Sequence, residues 1–197
     1  SAQNGPIGIG LIGAGKFSTM FLTQARLISG IHIVGIAELE IGCGHATCDH
    51  AGWSIDQHAA AELDAAAVSG TTFIGEDVEA LISHPAVEVV IEATGNPHAG
   101  IAHCLKAIDN RKHIVMVNVE ADVVAGPLLA RKAEQAGVVY SLAWGDQPAL
   151  ICEHVDWART CGFNVVCAGK GTRYLPSYHA LTPDTVWDTL KQYLDVD

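Results

Sequence analysis

Gly13, Gly15 and Ser18 stand in the pattern G-x-G-x-x-S, and a carboxylate, Glu38, follows 25 residues after Gly13. Glycine at the first position permits a tight turn. Glycine at the second lets a pyrophosphate approach the backbone, and the free amides of the next helix face its charge. A serine in place of the third glycine is still small enough for close helix–strand packing. A carboxylate at Glu38 can accept hydrogen bonds from the adenosine ribose hydroxyls of a dinucleotide. It also repels a 2′-phosphate, so the charge reading favours NADH over NADPH. Lys16 and Phe17 lie inside the turn, and Lys16 is the local base that could compensate such a phosphate.

Other polar residues fall where apolar runs end. "EATGNPHAG" supplies Thr94, Gly95 and Asn96 ahead of Pro97, and is expected under the nicotinamide ribose. "VNVEAD" supplies Asn118 and Glu120 beside the expected nicotinamide position. "WGDQP" supplies Asp146, a candidate helix N-cap, and Gln147, which joins the candidate cofactor contacts. Lys170 stands between Gly169 and Gly171. Hydride transfer to a carbonyl needs a proton donor or a clamp on the developing alkoxide. A partly desolvated lysine can serve as either, because burial lowers its pKa. Lys170 is therefore the first catalytic candidate, with Glu120 and His179 as secondary ones.

These residues need a scaffold that gathers strand ends. "IGIGLIGAG" reads as a buried parallel strand running into glycines. The apolar face of "KFSTMFLTQARLI" reads as a helix. "IHIVGIAE", "TTFIG", "VEVVIEATG", "KHIVMVN", "VVYSLAW" and "FNVVCAGKG" read as further strands. Helices are expected at "IDQHAAAELDAAAV", "EDVEALISH", "HAGIAHCLKAIDN", "GPLLARKAEQAG" and "DQPALICEHVDWARTCG". The alternation predicts an α/β fold, a doubly wound parallel sheet of Rossmann type with ligands at the strands' carboxyl ends. Residues 1–168 form the expected dinucleotide domain. Residues 169–197 are expected to begin a second, substrate-holding domain that continues beyond this sequence.

Composition narrows the partners. The 197 residues are 49% hydrophobic and 17% charged, with net charge −11. Residues 27–105 hold no Lys or Arg and eleven acids, a poor surface for nucleic acid. No apolar run is long enough to span a membrane, and the first residues do not read as a signal peptide. A cytoplasmic location is expected, with reduced cysteines. A small-molecule substrate is expected, phosphorylated or not, and a homo-oligomer in the full-length protein. Cys43, His45, Cys48 and His50 offer zinc-capable types. They fall in one short stretch, where tetrahedral sites draw two separated pairs, so a loop cluster without metal is expected.

The stretches "GLIGAGKFSTMFL", "VVIEATGNPHAGI", "HIVMVNVEADVVAGPLLARKAEQAGVVYSLAWGDQPALICEHVDWA" and "AGKGTRYLPSYHALTPDTVW" resemble the homoserine dehydrogenase-like oxidoreductases. Within that family they are most similar to the deoxyxylulose-phosphate reductoisomerase-like enzymes of bacterial isoprenoid synthesis. The resemblance implies a nicotinamide-dependent oxidoreductase, with NADPH as the cofactor of that branch, against the charge reading of Glu38. Homoserine dehydrogenases carry an Asn-Lys pair after the fifth strand, where this chain has Asn118-Val119-Glu120. Two alternatives stay open: a homoserine dehydrogenase proper, and a dinucleotide-binding module without catalysis.

Overall fold

The structure is a computed structural model that describes residues 5–143, 147–169 and 176–188. By its packing the chain divides into two units, Ser1–Trp144 and Gly145–Asp197, where sequence places the boundary after residue 168.

The first unit is built on six strands: β1 (Ile7–Ile12), β2 (Ile31–Ala37), β3 (Phe73–Gly75), β4 (Val89–Glu92), β5 (His113–Met116) and β6 (Tyr140–Leu142). They form one sheet in the order β3-β2-β1-β4-β5-β6, every pair parallel. The chain therefore winds outward from β1 in one direction, then returns and winds in the other. The crevice between the ends of β1 and β4 is the switch point where this topology places ligands.

Helices α1 (Lys16–Ala25), α2 (Ile41–His50), α3 (Leu63–Ser69), α4 (Val78–Ser83), α5 (Pro97–Asp109) and α6 (Val119–Ala136) connect the strands. One core gathers Ile9, Leu11, Ile33, Ile36 and Ile91 of the sheet with Leu22 and Cys48 of α1 and α2. The other gathers Ile12, Val34, Val90, Ile114 and Met116 with Leu81, Cys104 and Leu129 of α4, α5 and α6. Side chains on one strand face should recur every second residue. Ile33 and Ile36 are three apart and still share a core, because the β1–β2 register shifts between Ile9 and Gly10.

Folding overturns several local expectations. Residues around Cys43 form helix α2 and not a loop. Its glycines let it close on the sheet: a Cβ at Gly44 would lie 2.5 Å from Ile74 Cγ2. The Ala-rich segment expected as one helix splits into a 3-10 turn, Ile55–His58, and α3, because Ala60 bridges to Phe73 between them. Helix α6 begins at Val119, capped by Asn118, and runs through Pro127, which sequence places in a first turn. Pro127 cannot bond the carbonyl of Val123, but both residues are exposed and water can satisfy that oxygen.

In the second unit, α7 spans Gln147–Thr160, and Gly162 past its end takes φ +85° as a helix stop. The seventh strand expected at Phe163 is not present. Residues 163–169 pair with no strand, and Phe163 and Val166 are exposed. An apolar run becomes a strand only where a sheet edge supplies hydrogen bonds. A 3-10 turn follows at Pro176–Ala180. No helix among the described residues is long and apolar enough to cross a membrane.

Candidate functional site

The glycine turn behaves as its sequence predicts. Gly13 takes φ +95°, and a Cβ there would sit 2.8 Å from the carbonyl oxygen of Ala93. Gly15 is the N-cap of α1, with no side chain capping the first amides, and a Cβ there would meet nothing within 4 Å. That is the open approach a pyrophosphate needs. Ser18 is fully buried, and its hydroxyl donates to the Gly13 carbonyl at 2.6 Å. The serine thus closes the turn that the third glycine of the fingerprint would leave unlinked. Lys16 is exposed, and Phe17 stacks on Phe21 with ring centroids 6.2 Å apart.

Two neighbours hold the turn. Thr47 of α2 donates its hydroxyl to the Ala14 carbonyl at 2.8 Å. Glu38 accepts the Ala14 amide proton at 2.7 Å on one carboxylate oxygen and the Leu39 amide at 2.8 Å on the other. The acid after β2 is therefore bound to the phosphate loop after β1, its carboxylate held in one orientation.

The loop after β4 has its own anchor, which sequence reasoning missed. Glu92, the last residue of β4, is fully buried. Its Oε1 accepts the Thr94 hydroxyl at 2.5 Å and faces His103 Nδ1 at 3.3 Å. Among the described residues its Oε2 has no hydrogen-bond partner. Gly95 takes φ +70°, and Asn96 caps α5 by accepting the Ala99 amide at 3.1 Å. Asn118 is buried: its Oδ1 accepts the Ala121 amide at 3.0 Å and its Nδ2 donates to the Asn96 carbonyl at 2.8 Å. So Asn118 ties the loop after β4 to the start of α6. An acid inside the apolar run "VVIEATG" was the available signal for Glu92.

A cavity of about 490 Å³ opens over these loops. Gly13 and Gly15, Glu38 and Leu39, Val78, Thr94 and His103 are among its walls, and among the described residues no Lys or Arg lines it. Its size suits a ligand pocket. Cys43 also reaches it. The thiol hydrogen-bonds Glu40, which pushes its pKa up and leaves it a poor nucleophile.

The remaining candidates lie elsewhere. Glu120 is exposed in the first turn of α6. In the second unit Gln147 opens α7, and His179 is exposed in the 3-10 turn. Lys170 and Asp146 lie outside the described residues. The zinc-capable residues separate along α2. Cys48 is buried in the core, His50 bonds the Ala46 carbonyl, and His45 Nδ1 lies 2.9 Å from His58 Nδ1. Among the described residues no group of three or more His, Cys, Asp or Glu side chains could hold a metal ion.

A parallel sheet, a glycine turn at its switch point and an acid after β2 define a dinucleotide-binding Rossmann domain. Residues 8–142 match the NAD-binding domain of homoserine dehydrogenase, and the chain belongs to that family of oxidoreductase domains. Residues 145–194 match the catalytic domain of oxidoreductase DRL. No curated protein matches the chain.

Among solved structures, biliverdin reductase from Synechocystis sp. PCC 6803, in complex with biliverdin and NADP+, is similar at 18% identity and TM-score 0.58. The match covers 80% of this chain and 43% of that one. The myo-inositol dehydrogenase from Lactobacillus casei, in complex with NAD(H) and myo-inositol, is similar at 15% identity and TM-score 0.55, covering 78% and 42%. A homoserine dehydrogenase from Thiobacillus denitrificans is similar at 20% identity and TM-score 0.53, covering 68% and 28%. At these identities the likeness is one of fold, and the chain spans less than half the length of each of these proteins.

Proposed function

We propose that this chain is the cofactor-binding part of an NAD-dependent oxidoreductase that moves a hydride between the nicotinamide and a small carbonyl or hydroxyl substrate. The observation that carries the cofactor preference is Glu38. Its carboxylate is pinned at the cavity wall by the Ala14 and Leu39 amides, and among the described residues no Lys or Arg lines the cavity. A ribose diol can share that carboxylate, whereas a 2′-phosphate would meet its charge without a cation to offset it. The resemblance to the deoxyxylulose-phosphate reductoisomerase-like enzymes favours a substrate of that type, and residues 145–194 match the catalytic domain of oxidoreductase DRL. The lysine that follows the asparagine in homoserine dehydrogenases is missing from Asn118-Val119-Glu120, which counts against homoserine. Lys170 remains the proposed proton donor or alkoxide clamp, with Glu120 and His179 as secondary candidates.

Titration of the chain with NADH and separately with NADPH, followed by nicotinamide fluorescence, tests the cofactor reading. Tighter NADH binding is expected. Tighter NADPH binding would mean that Glu38 leaves the Ala14 amide, and would overturn the preference.

A further inference from the structure

We infer that His103 accepts a hydrogen bond, at Nε2, from the amino group of the adenine ring of the bound dinucleotide, and that the buried carboxylate of Glu92 is the positioning residue that presents it. The inference rests on the dinucleotide reading above and assigns a ligand contact to a residue outside the glycine fingerprint.

Location gives the ligand half. The cavity walls come from the ends of β1 and β2, the residues after β1, β2 and β4, and Val78 after β3, and among the described residues include none after β5 or β6. Glu38 lies on this side of the switch point, where the adenosine ribose is recognised. Leu39, Val78 and Ala99 add apolar wall around His103, the setting for a flat aromatic ring. The nicotinamide half would extend past Thr94 and Asn96 toward Asn118, which hydrogen-bonds both and is not itself among the residues lining this cavity.

Chemistry gives the role. His103 is one-fifth exposed, and its Nδ1 faces the fully buried Oε1 of Glu92 at 3.3 Å. A carboxylate on Nδ1 fixes the ring so that Nδ1 carries a proton and the opposite edge, with Nε2, is left to the cavity. The same Oε1 accepts the Thr94 hydroxyl, so one buried oxygen sets both the histidine and the loop that follows β4. A His–Glu pair serving only the core would have no need to line the cavity.

Fluorescence and calorimetric titrations of the full chain with NADH, AMP and NMN+ test this, alongside thermal melts. His103→Ala and His103→Phe are each expected to weaken NADH and AMP by the same factor, about tenfold. NMN+ binding should not change, and His103→Gln, which keeps an acceptor, should recover part of the loss. Phe restores volume without an acceptor, so recovered affinity in His103→Phe would make the role packing alone and overturn the inference. Unchanged AMP affinity in His103→Ala would overturn it too, leaving dinucleotide binding standing. If the unaltered chain bound neither NADH nor AMP, the dinucleotide reading itself would fail.

Discussion

Glu38 Oε2 accepts the amide proton of Ala14 at 2.7 Å, so the acid that ends β2 is bonded to the glycine turn that ends β1. The two halves of the fingerprint form one unit before any ligand arrives. Glu38→Ala removes the ribose acceptor and the tie on the turn together. NADH affinity should fall about tenfold, and discrimination against NADPH should shrink by a similar factor. Parallel titrations with the two cofactors read both changes, and an unaltered NADH/NADPH ratio would count against the charge argument.

The two glycines of the turn should fail differently. Gly13→Ala places a methyl at φ +95° and 2.8 Å from the Ala93 carbonyl oxygen, so the fold itself should lose about 2 kcal/mol. Gly15→Ala meets nothing within 4 Å, and its φ of −84° suits any residue. It should leave stability within about 0.5 kcal/mol while its methyl occupies the pyrophosphate approach and abolishes NADH binding. Urea unfolding and cofactor titration on the same two variants separate the effects.

Lys112 works at the other end of the sheet. Its ammonium donates to the carbonyls of His84 and Val87 at 2.9 and 2.7 Å, and burial lowers its pKa. Lys112→Met keeps the stem and removes a donor from both carbonyls, of which that of His84 keeps the Val87 amide. A loss of about 1–3 kcal/mol is expected in denaturant unfolding, with NADH affinity unchanged because the site lies far from the crevice.

The thiols carry an alkaline signature. Burial, aided by the charges of Glu92 and Asp122, pushes Cys104 up to about 12 from 9.0. Burial and Asp49 push Cys48 up to about 12 from the same value. Burial and the hydrogen bond to Asp122 raise the Tyr140 pKa as well. The unfolded chain releases these protons first. Stability is therefore complete below the ordinary thiol value and is lost as pH rises toward the folded values. Melting temperature should hold near about pH 8 and fall by about pH 10.5, with a shallower fall in Cys104→Ala. At neutral pH a thiol reagent should label the exposed Cys152, Cys161 and Cys167 quickly, Cys43 more slowly because its bond to Glu40 raises its pKa, and Cys48 and Cys104 only on unfolding.

Much of the fold is visible in local pattern. Buried strands such as "IGIGLI" and helix ends such as Gly137 need only neighbours in sequence to declare themselves, since side-chain periodicity and backbone φ are local properties. Helix α2 escaped because its Gly42 and Gly44 lower helix propensity, and the use of Gly44, close contact with Ile74, lies on another element. "FNVVCAG" misled for the converse reason: it has strand propensity, but a strand is completed by a partner.

The sequence by itself determined the alternating α/β order, the glycine turn and the acid after β2, because each is set by residues close together in the chain. Tertiary structure alone decided that Glu38 holds Ala14, that Ser18 closes the turn on Gly13, and that Glu92 sets Thr94 and His103 together. It also decided that Asn118 spends its amide joining two loops. Glu38 with Ala14 and Asn118 with Asn96 join residues more than twenty apart in the chain. Ser18 takes its role from its own burial, and Thr94 and His103 take theirs from the buried carboxylate of Glu92 at the end of β4, where a polar atom must find a protein partner when water is excluded.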